Sequence, residues 1–311
     1  MPGKGTPRGA SPSMVVFILN PISGVNRRPE KIRRAIQDIW GPSGRRFEIW
    51  QTEGRGHATE LASRAVEQGA DMVVAIGGDG TINEVGRGLV GSQTALGVIP
   101  AGSGNGFARN FDIPLDQPQA IRMLLAPAIR TIDVGQINQH YFFNVAGLGL
   151  DAQVAARFDR FGIRGPLPYF LVGAREFLRY TPQPIALSNE KEQRTIHPLV
   201  FSIANLPQYG NGAVIAPDAR PDDGQLDVCI LYPISIVTAL TQVYRLFNGT
   251  IQQVREYETF RIRSLKVERP RADYIHTDGD PHWADRVLDI QVLPRQLRVA
   301  VPPDPHPATA S

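Results

Sequence analysis

The sequence predicts an α/β domain followed by a mainly antiparallel β-sandwich domain, and three observations support this fold class. The chain has 311 residues, more than the roughly 250–300 at which one hydrophobic core stops growing. From Met14 to about Asp133, short apolar runs alternate with amphipathic helical stretches, which is typical of a mostly parallel sheet covered by helices. After Asp133 the apolar runs become paired and extended, which favours antiparallel hairpins.

These changes of pattern divide the chain into five expected segments. They are a disordered N-terminus at 1–13, an α/β domain at 14–133, a β-rich domain at 134–290, a C-terminal segment at 291–302 that we expect to return to the first domain, and a disordered tail at 303–311.

The first domain alternates strands and helices. Apolar residues at helical spacing, such as Ile32 and Ile36, predict helices that cover the sheet, and Pro29 suits the first turn of a helix. The predicted order is a strand at 14–21, helices at 29–40 and 57–69, a strand at 71–78, a helix carrying Ile82, Val85 and Leu89, and a strand at 95–102.

The second domain is predicted to be mainly strands, with convincing helices only at 168–180 and 235–249. Around the first of these, the stretch 157–180 mixes five arginines with aromatic and apolar residues. Basic residues among aromatics suit a membrane surface, whereas a core helix with one charged face is the alternative.

Composition limits the possible partners and the compartment. The net charge of +3 permits an anionic ligand or a membrane surface but does not indicate nucleic acid. The single cysteine, Cys229, excludes an intrachain disulfide and is expected to be a buried strand thiol. No apolar run is long enough to span a bilayer and no signal peptide is recognisable, so we expect a cytoplasmic protein.

The stretch "VVAIGGDGTINEV" at 73–85 places glycines and a carboxylate between a strand and a helix. Gly77, Gly78 and Gly80 allow the backbone to approach a ligand closely, and the following helix offers free amides to a phosphate. Asp79 beside a phosphate implies a bridging cation, for which Mg²⁺ is suited. A plain tight turn between strand and helix is the alternative.

Two further turns carry similar chemistry, "NPISG" at 20–24 and "PAGSGNGFAR" at 100–109. Three glycine-rich turns at the carboxyl ends of parallel strands predict a nucleotide crevice. None of them matches GxxxxGK[ST], or GxGxxG with a distant acid, so neither a phosphate-loop NTPase nor a Rossmann dehydrogenase is supported.

With these motifs the chain resembles the diacylglycerol kinase catalytic domain family, bacterial lipid kinases related to sphingosine and ceramide kinases. The signature "GGDGTINEV" is shared with NAD kinases and 6-phosphofructokinases and indicates that kind of α/β domain. The later motifs favour the lipid branch, and they follow in the family order: "GLGLDAQV" at 147–154, "APDARPDDGQLDV" at 216–228 and "HTDGDPHW" at 276–283.

The resemblance implies binding residues for ATP and Mg²⁺. The implied nucleotide and magnesium residues are Asn20, Pro21, Ser23, Thr52, Gly77, Gly78, Asp79, Gly80, Thr81, Asn83, Glu84 and Ser103. Asp133 is expected to contribute to the magnesium network. A second, structural cation is implied at the turn "RPDDGQL", on Asp223 with backbone oxygens near Arg220 and Gln225, and an ordinary Asp-Gly hairpin is the alternative there.

Phosphoryl transfer to a lipid hydroxyl needs a carboxylate that accepts the proton. The family motif is Asp-Gly-Glu, and this chain has Asp278-Gly279-Asp280, so we expect Asp278 to be the base and Asp280 to support it, with a simple Asp-Gly turn as the alternative. Asp151 is a second candidate for contact with the acceptor hydroxyl, or else a helix N-cap. Gly106 stands where many members have Asp.

The expected function is therefore an ATP- and Mg²⁺-dependent lipid kinase that phosphorylates a hydroxyl of a diacylglycerol-like or sphingoid lipid. The expected partners are this lipid substrate and the inner membrane face, through peripheral contact, with a homodimer possible and no nucleic acid. Two alternatives stay open: a kinase acting on NAD, and a nucleotide- or lipid-binding member without turnover.

Overall fold

The computed structural model describes residues 14–23, 29–161, 173, 175–189 and 193–303, without the side chains of 158–161. In this part of the chain, a ten-stranded sheet, a six-stranded sheet and a two-stranded ribbon form the architecture. The N-terminus predicted at 1–13, residues 304–311 of the predicted tail, and residues 168–172 and 174 of the helix predicted at 168–180 lie outside the described residues.

The N-terminal half is an α/β layer. Its strands are β1 (Met14–Leu19), β2 (Arg46–Gln51), β3 (Met72–Gly77) and β4 (Ala95–Pro100), and its helices are α1 (Pro29–Trp40), α2 (His57–Glu67), α3 (Asp79–Leu89), α4 (Gly106–Asn110) and α5 (Gln117–Met123). The strands pair in parallel in the order β2-β1-β3-β4. Every residue of β1, β3 and β4 is buried, because helices cover both faces of the sheet.

The remaining strands form an antiparallel sandwich. They are β5 (Ala128–Ile137), β6 (His140–Phe142), β7 (Val145–Gly149), β8 (Ile185–Ser188), β9 (Gln193–Ile196), β10 (Val200–Ala204), β11 (Gln208–Gly210), β12 (Ala213–Val214), β13 (Leu226–Leu231), β14 (Tyr257–Ile262), β15 (Ser264–Glu268), β16 (Asp273–Thr277), β17 (Asp280–Ala284) and β18 (Val287–Val301). One sheet has the order β14-β13-β10-β7-β16-β17. Its inner face packs against β5, β8, β15 and β18 in a shared apolar core.

The long strand β18 belongs to both halves of the molecule. Its first part pairs antiparallel with β15, through Ser264 and Gln291, and its last part pairs parallel with β4, through Arg298 and Ala95. The chain therefore re-enters the sheet of the first domain as one continuous strand. The domain limits after 133 and 290 stay predictions, since β5 runs through the first limit and β18 through the second.

The helices that accompany the sandwich in the described part of the chain include α6 (Leu150–Phe161), α7 (Ile236–Gln242) and α8 (Tyr244–Phe247), and residues 175–179 are also helical. Ser235 caps α7, since its hydroxyl accepts a hydrogen bond from the Thr238 amide at 3.0 Å, and α8 ends before Asn248, as predicted. Among the described residues, no helix is long and apolar enough to cross a membrane. Cys229 is a buried thiol in β13, and burial raises its pKa to about 12.

Candidate active site

The glycine-rich turns meet at the carboxyl edge of the parallel strands. Asn20 follows β1, and its side-chain amide donates a hydrogen bond to the Thr81 hydroxyl at 2.9 Å. The Ser23 hydroxyl lies 3.4 Å from the same oxygen, and Pro21 lies in the turn between Asn20 and Ser23. The first turn is thus fixed to the first residues of α3.

The second and third turns touch through glycine backbones. A Cβ on Gly102 would lie 2.6 Å from the Gly78 Cα, and a Cβ on Gly77 would lie 2.4 Å from the Thr81 hydroxyl. Gly78 has φ −88°, which any residue can adopt. Because Gly78 has no side chain, the second and third turns can pack against each other. The sequence predicted instead that this glycine allows a phosphate to approach the backbone closely.

Asp79 connects the same two turns. Its Oδ1 accepts a hydrogen bond from the Phe107 amide at 3.0 Å. A Cβ on Gly104 would lie 3.3 Å from Oδ2, so the third turn wraps around the carboxylate. Burial raises the pKa of Asp79, while hydrogen bonds from backbone amides, first among them that of Phe107, oppose this rise. A bound cation would stabilise the charged form of this buried carboxylate.

Two residues predicted to hold ATP are engaged within the protein. Glu84 accepts hydrogen bonds from the amides of Gly56, at 2.9 Å, and Ala58, at 3.3 Å, and so fixes the start of α2. Thr52 is buried, and its amide donates to the Leu19 carbonyl at 3.0 Å. We therefore correct the role of Glu84 from nucleotide ligand to anchor of the second loop.

Asp278 is the first residue of a two-residue hairpin turn between β16 and β17. Asp278 has φ 51° and Gly279 has φ 89°, as this tight turn requires. The carboxylate accepts hydrogen bonds from the Asn83 side chain, at 2.6 Å, and from the backbone amides of 143–145, at 2.8–3.1 Å. Both Asp278 oxygens are therefore occupied, whereas the sequence predicted that Asp278 is the base; this role and the predicted contact of Asn83 with nucleotide stay predictions.

Asp280 lies on the other side of the turn, facing the signature loop. A Cβ on Gly80 would lie 3.8 Å from Asp280 Oδ1, so the carboxylate is directly opposite the start of α3. Arg55 donates to the same oxygen at 3.3 Å, and the Asp280 side chain is 26 % exposed. Ser103 of the third turn is also exposed at this edge of the sheet.

Asp151, in the first turn of α6, lies in a polar cluster. Its Oδ2 accepts hydrogen bonds from the hydroxyls of Ser202, at 3.0 Å, and Tyr209, at 3.2 Å, and lies 3.2 Å from His276 Nε2. Its Oδ1 accepts from the Ala152 amide at 2.9 Å. The Asp151 carboxylate thus does not cap α6 through amides further along the helix. It contacts two hydroxyl groups and an imidazole instead.

Asp133 lies away from the nucleotide edge. It is fully buried, and its carboxylate accepts hydrogen bonds from the amides of Gly224, at 2.7 Å, and Arg295, at 2.8 Å. Its own amide donates to Pro221. Both carboxylate oxygens thus fix the 220–224 turn and β18, and the expected magnesium role of Asp133 stays a prediction.

The turn expected to bind a structural cation already contains a positive side chain. Asp223 Oδ1 accepts from the Gln225 amide at 3.0 Å, and Asp223 Oδ2 lies 3.7 Å from an Arg261 nitrogen. Arg261 also donates to Asp227 Oδ1 at 3.3 Å and to the Asp218 carbonyl at 3.1 Å.

Arg261 thus places a positive charge 3.7 Å from one Asp223 oxygen, and Arg220 is exposed beside it. Within the described part of the chain, no group of three or more His, Cys, Asp or Glu side chains is arranged to hold a metal ion. The structural cation expected on Asp223, with backbone oxygens near Arg220 and Gln225, stays a prediction.

Sequence reasoning missed a histidine pair near the hairpin turn. The ring of His282 stacks on that of His140 at 4.0 Å, and its Nε2 lies 2.8 Å from the Thr277 hydroxyl, to which Arg87 donates at 3.3 Å. Burial, followed by the neighbouring charges of His140 and Arg87, lowers the pKa of His282 to about 3. His282 is therefore neutral and half-buried.

The donor set at the sheet edge fits a nucleotide phosphate with one magnesium ion. The eleven-residue helix α3 directs its first amides toward the gap between Gly80 and Asp280. Asp79 supplies a carboxylate at the same place, and Mg²⁺ commonly uses one or two carboxylates together with substrate phosphates. These features define a kinase-type site at the edge of a two-part α/β and β-sandwich fold.

Comparison with known proteins agrees with this class. Residues 14–137 match the diacylglycerol kinase catalytic domain family, and residues 144–301 match the YegS C-terminal NAD kinase beta sandwich-like domain. A diacylglycerol kinase of Mycobacterium tuberculosis is 30% identical, over 93% of this chain and 95% of that protein. A YegS-like lipid kinase of Pseudomonas aeruginosa is 32% identical, over 92% and 94%.

A crystal structure of a diacylglycerol kinase from Bacillus anthracis superimposes with a TM-score of 0.72, over 94% of this chain and 97% of that one, at 17% sequence identity. At this identity the likeness concerns the fold. With the sequence matches, it confirms the predicted fold class. The chain belongs to the diacylglycerol kinase catalytic domain family of lipid kinases.

Proposed function

We propose that this kinase transfers the γ-phosphoryl group of ATP to a hydroxyl of a membrane lipid, of the diacylglycerol or sphingoid kind, with Mg²⁺ bound at Asp79. One observation carries the proposal. The Asp280 carboxylate faces Gly80 at the start of α3 and keeps part of its surface exposed. A phosphate at the helix start and a base opposite it are the two groups that the transfer needs.

The nucleotide is proposed to lie along the three glycine-rich turns. Its phosphates accept hydrogen bonds from the first amides of α3, and Arg55 lies close enough to Asp280 to contact the transferred group. Asn20, Ser23 and Thr81 are used to fix the loops. Bound magnesium supplies charge neutralisation for the transferring phosphoryl group.

The proton of the acceptor is proposed to pass to Asp280. The lipid hydroxyl oxygen forms a bond with the γ-phosphorus as the bond from that phosphorus to the bridging oxygen of ADP breaks, and the hydroxyl proton moves to the Asp280 carboxylate. The shorter side chain, where the family has Glu, is compatible with this role because β17 places Asp280 directly opposite Gly80. Asp278 acts indirectly, by holding the turn.

The acceptor head group is proposed to bind near Asp151. Tyr209 connects the two sides of this site, because its hydroxyl donates to Asp151 while its carbonyl packs against Gly106, where a Cβ would lie 2.4 Å from it. The hydroxyl groups of Ser202 and Tyr209 can rotate and form hydrogen bonds with a ligand in place of Asp151. Such donors suit a polyhydroxy or amino-alcohol head group.

The experiment that tests this function is a screen with labelled ATP and Mg²⁺. Diacylglycerol, monoacylglycerol, a sphingoid base, ceramide and NAD are offered separately, and ADP release and labelled product are measured. Lipid-dependent ADP release with a phosphorylated lipid is expected. Labelled NADP would instead establish the NAD kinase alternative, and nucleotide binding without ADP release would establish the non-catalytic one.

A further inference from the structure

The helical segment 236–247 exposes an unusual amount of apolar surface. Twelve large apolar side chains are exposed in the described chain, and six of them lie in this one segment. We call these six residues the apolar ridge: Ile236, Val237, Leu240, Val243, Tyr244 and Phe247. Monomeric soluble proteins rarely concentrate exposed apolar groups in this way, and such a patch indicates an interaction surface.

The ridge follows the periodicity of one continuous helix. α7 ends at Gln242 and α8 begins at Tyr244, and Val243 between them has helical dihedrals, φ −55° and ψ −30°. At 100° per residue, the six side chains fall within about 120° of the helix circumference. Val237 and Leu240 are 66% and 68% exposed, so the ridge points to solvent.

The ridge carries almost no charge. Between Pro233 and Val254 the sequence has no Asp or Glu, and its single charged residue is Arg245. A wide apolar face without carboxylates is compatible with insertion among lipid head groups. Arg245 lies on the opposite side of the helix, where it donates hydrogen bonds to Gln242 and Gln253.

The segment is also attached to the acceptor side of the site. Leu246, on the inner side of the helix, packs against the apolar cluster that contains Ala216 and Cys229, and Tyr209 packs against the same cluster. Tyr209 in turn donates to Asp151. The helix that carries the ridge and the tyrosine that contacts Asp151 therefore pack against the same apolar cluster.

We propose that the apolar ridge is the surface by which the protein docks on a lipid bilayer, with its six side chains inserted at the level of the head groups. This proposal rests on the proposed function in one respect, that the acceptor is a membrane lipid. It names the surface through which the enzyme reaches that lipid.

The test is sedimentation of the full chain with phosphatidylglycerol and phosphatidylcholine vesicles, without nucleotide. The variant V237S/L240S/F247S is compared with the control L115S/I129S/V287S, which removes three exposed apolar side chains elsewhere. We expect the ridge variant to lose at least about tenfold in vesicle affinity, because buried apolar area drives such insertion. The control is expected to bind like the wild type, and all three proteins are expected to melt at similar temperatures.

Activity gives a second readout. The ridge variant is expected to phosphorylate a short-chain acceptor, dissolved as monomers, at the wild-type rate and to lose rate only on vesicles. If no lipid is phosphorylated but vesicle binding still depends on the ridge, the docking surface stands and the proposed function fails.

Three outcomes would overturn the docking surface. The first is a wild-type protein that does not bind vesicles, and the second is a ridge variant that binds them as well as the wild type. The third is a wild-type dimer, seen by sedimentation velocity, that the ridge variant converts to monomers with unchanged vesicle binding. In that case the ridge joins two copies of the chain.

Discussion

Four aspartates near the site have the same side chain but different surroundings. Asp278 accepts four hydrogen bonds, Asp151 is surrounded by hydroxyls, and Asp79 is held by backbone amides. Asp280 keeps exposed surface and pairs with Arg55 across a solvent-facing gap. A carboxylate whose oxygens are all occupied cannot accept a proton without losing its partners, and for this reason Asp280 is proposed as the base.

The first prediction separates Asp280 from Asp278. Asp280→Asn should lower kcat by about 10²–10⁴ with little change in ATP affinity, because it removes only the proton acceptor. Asp278→Asn should destabilise the fold by about 1–3 kcal/mol, because an amide nitrogen would face hydrogen-bond donors. Steady-state kinetics and thermal melts on both variants measure these effects. A fully stable Asp278→Asn protein with the larger loss of kcat would return the base to Asp278.

A second prediction concerns Arg261. In Arg261→Met, Asp223 and Asp227 lose their shared cation, and stability should fall by about 1 kcal/mol, since the pairs are partly exposed. Millimolar Mg²⁺ should restore part of the melting temperature of this variant, while the wild type should be insensitive to Mg²⁺ in the absence of nucleotide. Arg263→Met, at a neighbouring exposed position, serves as control. A wild-type melting temperature that rises with Mg²⁺ would show that the turn binds a metal ion.

At the scale of elements, the packing of α4 against β11 explains a departure from the family. A Cβ on Gly106 would lie 2.4 Å from the Tyr209 carbonyl oxygen and 3.0 Å from the Gly210 Cα. The backbone of β11 therefore leaves no room at position 106 for the Asp side chain that the family resemblance implies. The glycine thus allows close contact between the third glycine-rich turn and β11.

The third prediction follows from this contact. Gly106→Asp, which introduces the common family residue, should destabilise the protein by about 1–3 kcal/mol through overpacking, and should lower activity. Melting temperature and magnesium dependence of the rate are measured beside Gly41→Ala, a position where a Cβ meets no atom within 4 Å. Tighter magnesium binding by a stable Gly106→Asp protein would contradict this account.

The elements themselves were largely predictable, and the roles of their polar residues were not. The spacing of apolar residues within a short stretch of chain indicates the buried strand at 72–77 and the helix at 29–40, so both could be identified from the sequence. The partners of Asp278 lie more than 130 residues away in sequence, and those of Asp133 up to 162 residues away. Such pairings depend on how two sheets meet, which local patterns do not encode.

Across the whole molecule, β18 joins the two halves. Its residues from Ile290 to Val301 pair with β5 along almost the entire length of both strands, with one irregularity between Leu293 and Leu297. Because the same strand also pairs with β4 and β15, it joins the parallel strands of the first half and the strands of the sandwich in one sheet. Shared strands of this kind favour a single cooperative unfolding unit.

The fourth prediction tests that cooperativity by hydrogen exchange. The slowest amides of β3 and β13, in opposite halves, should exchange with the same opening free energy and the same dependence on denaturant. Amides of the exposed α7 should exchange much faster. Protection that persists in β13 after β3 has exchanged would show that the halves open independently.

The position of β18 also has a consequence for the newly made chain. β18 follows all the other strands in sequence, yet it lies between β4 and β15 in the large sheet. While the chain is being synthesised, β4 therefore has an unpaired edge for as long as the more than 180 intervening residues take to emerge. Unpaired strand edges promote aggregation, so we expect the nascent protein to depend on chaperones until this strand has left the ribosome.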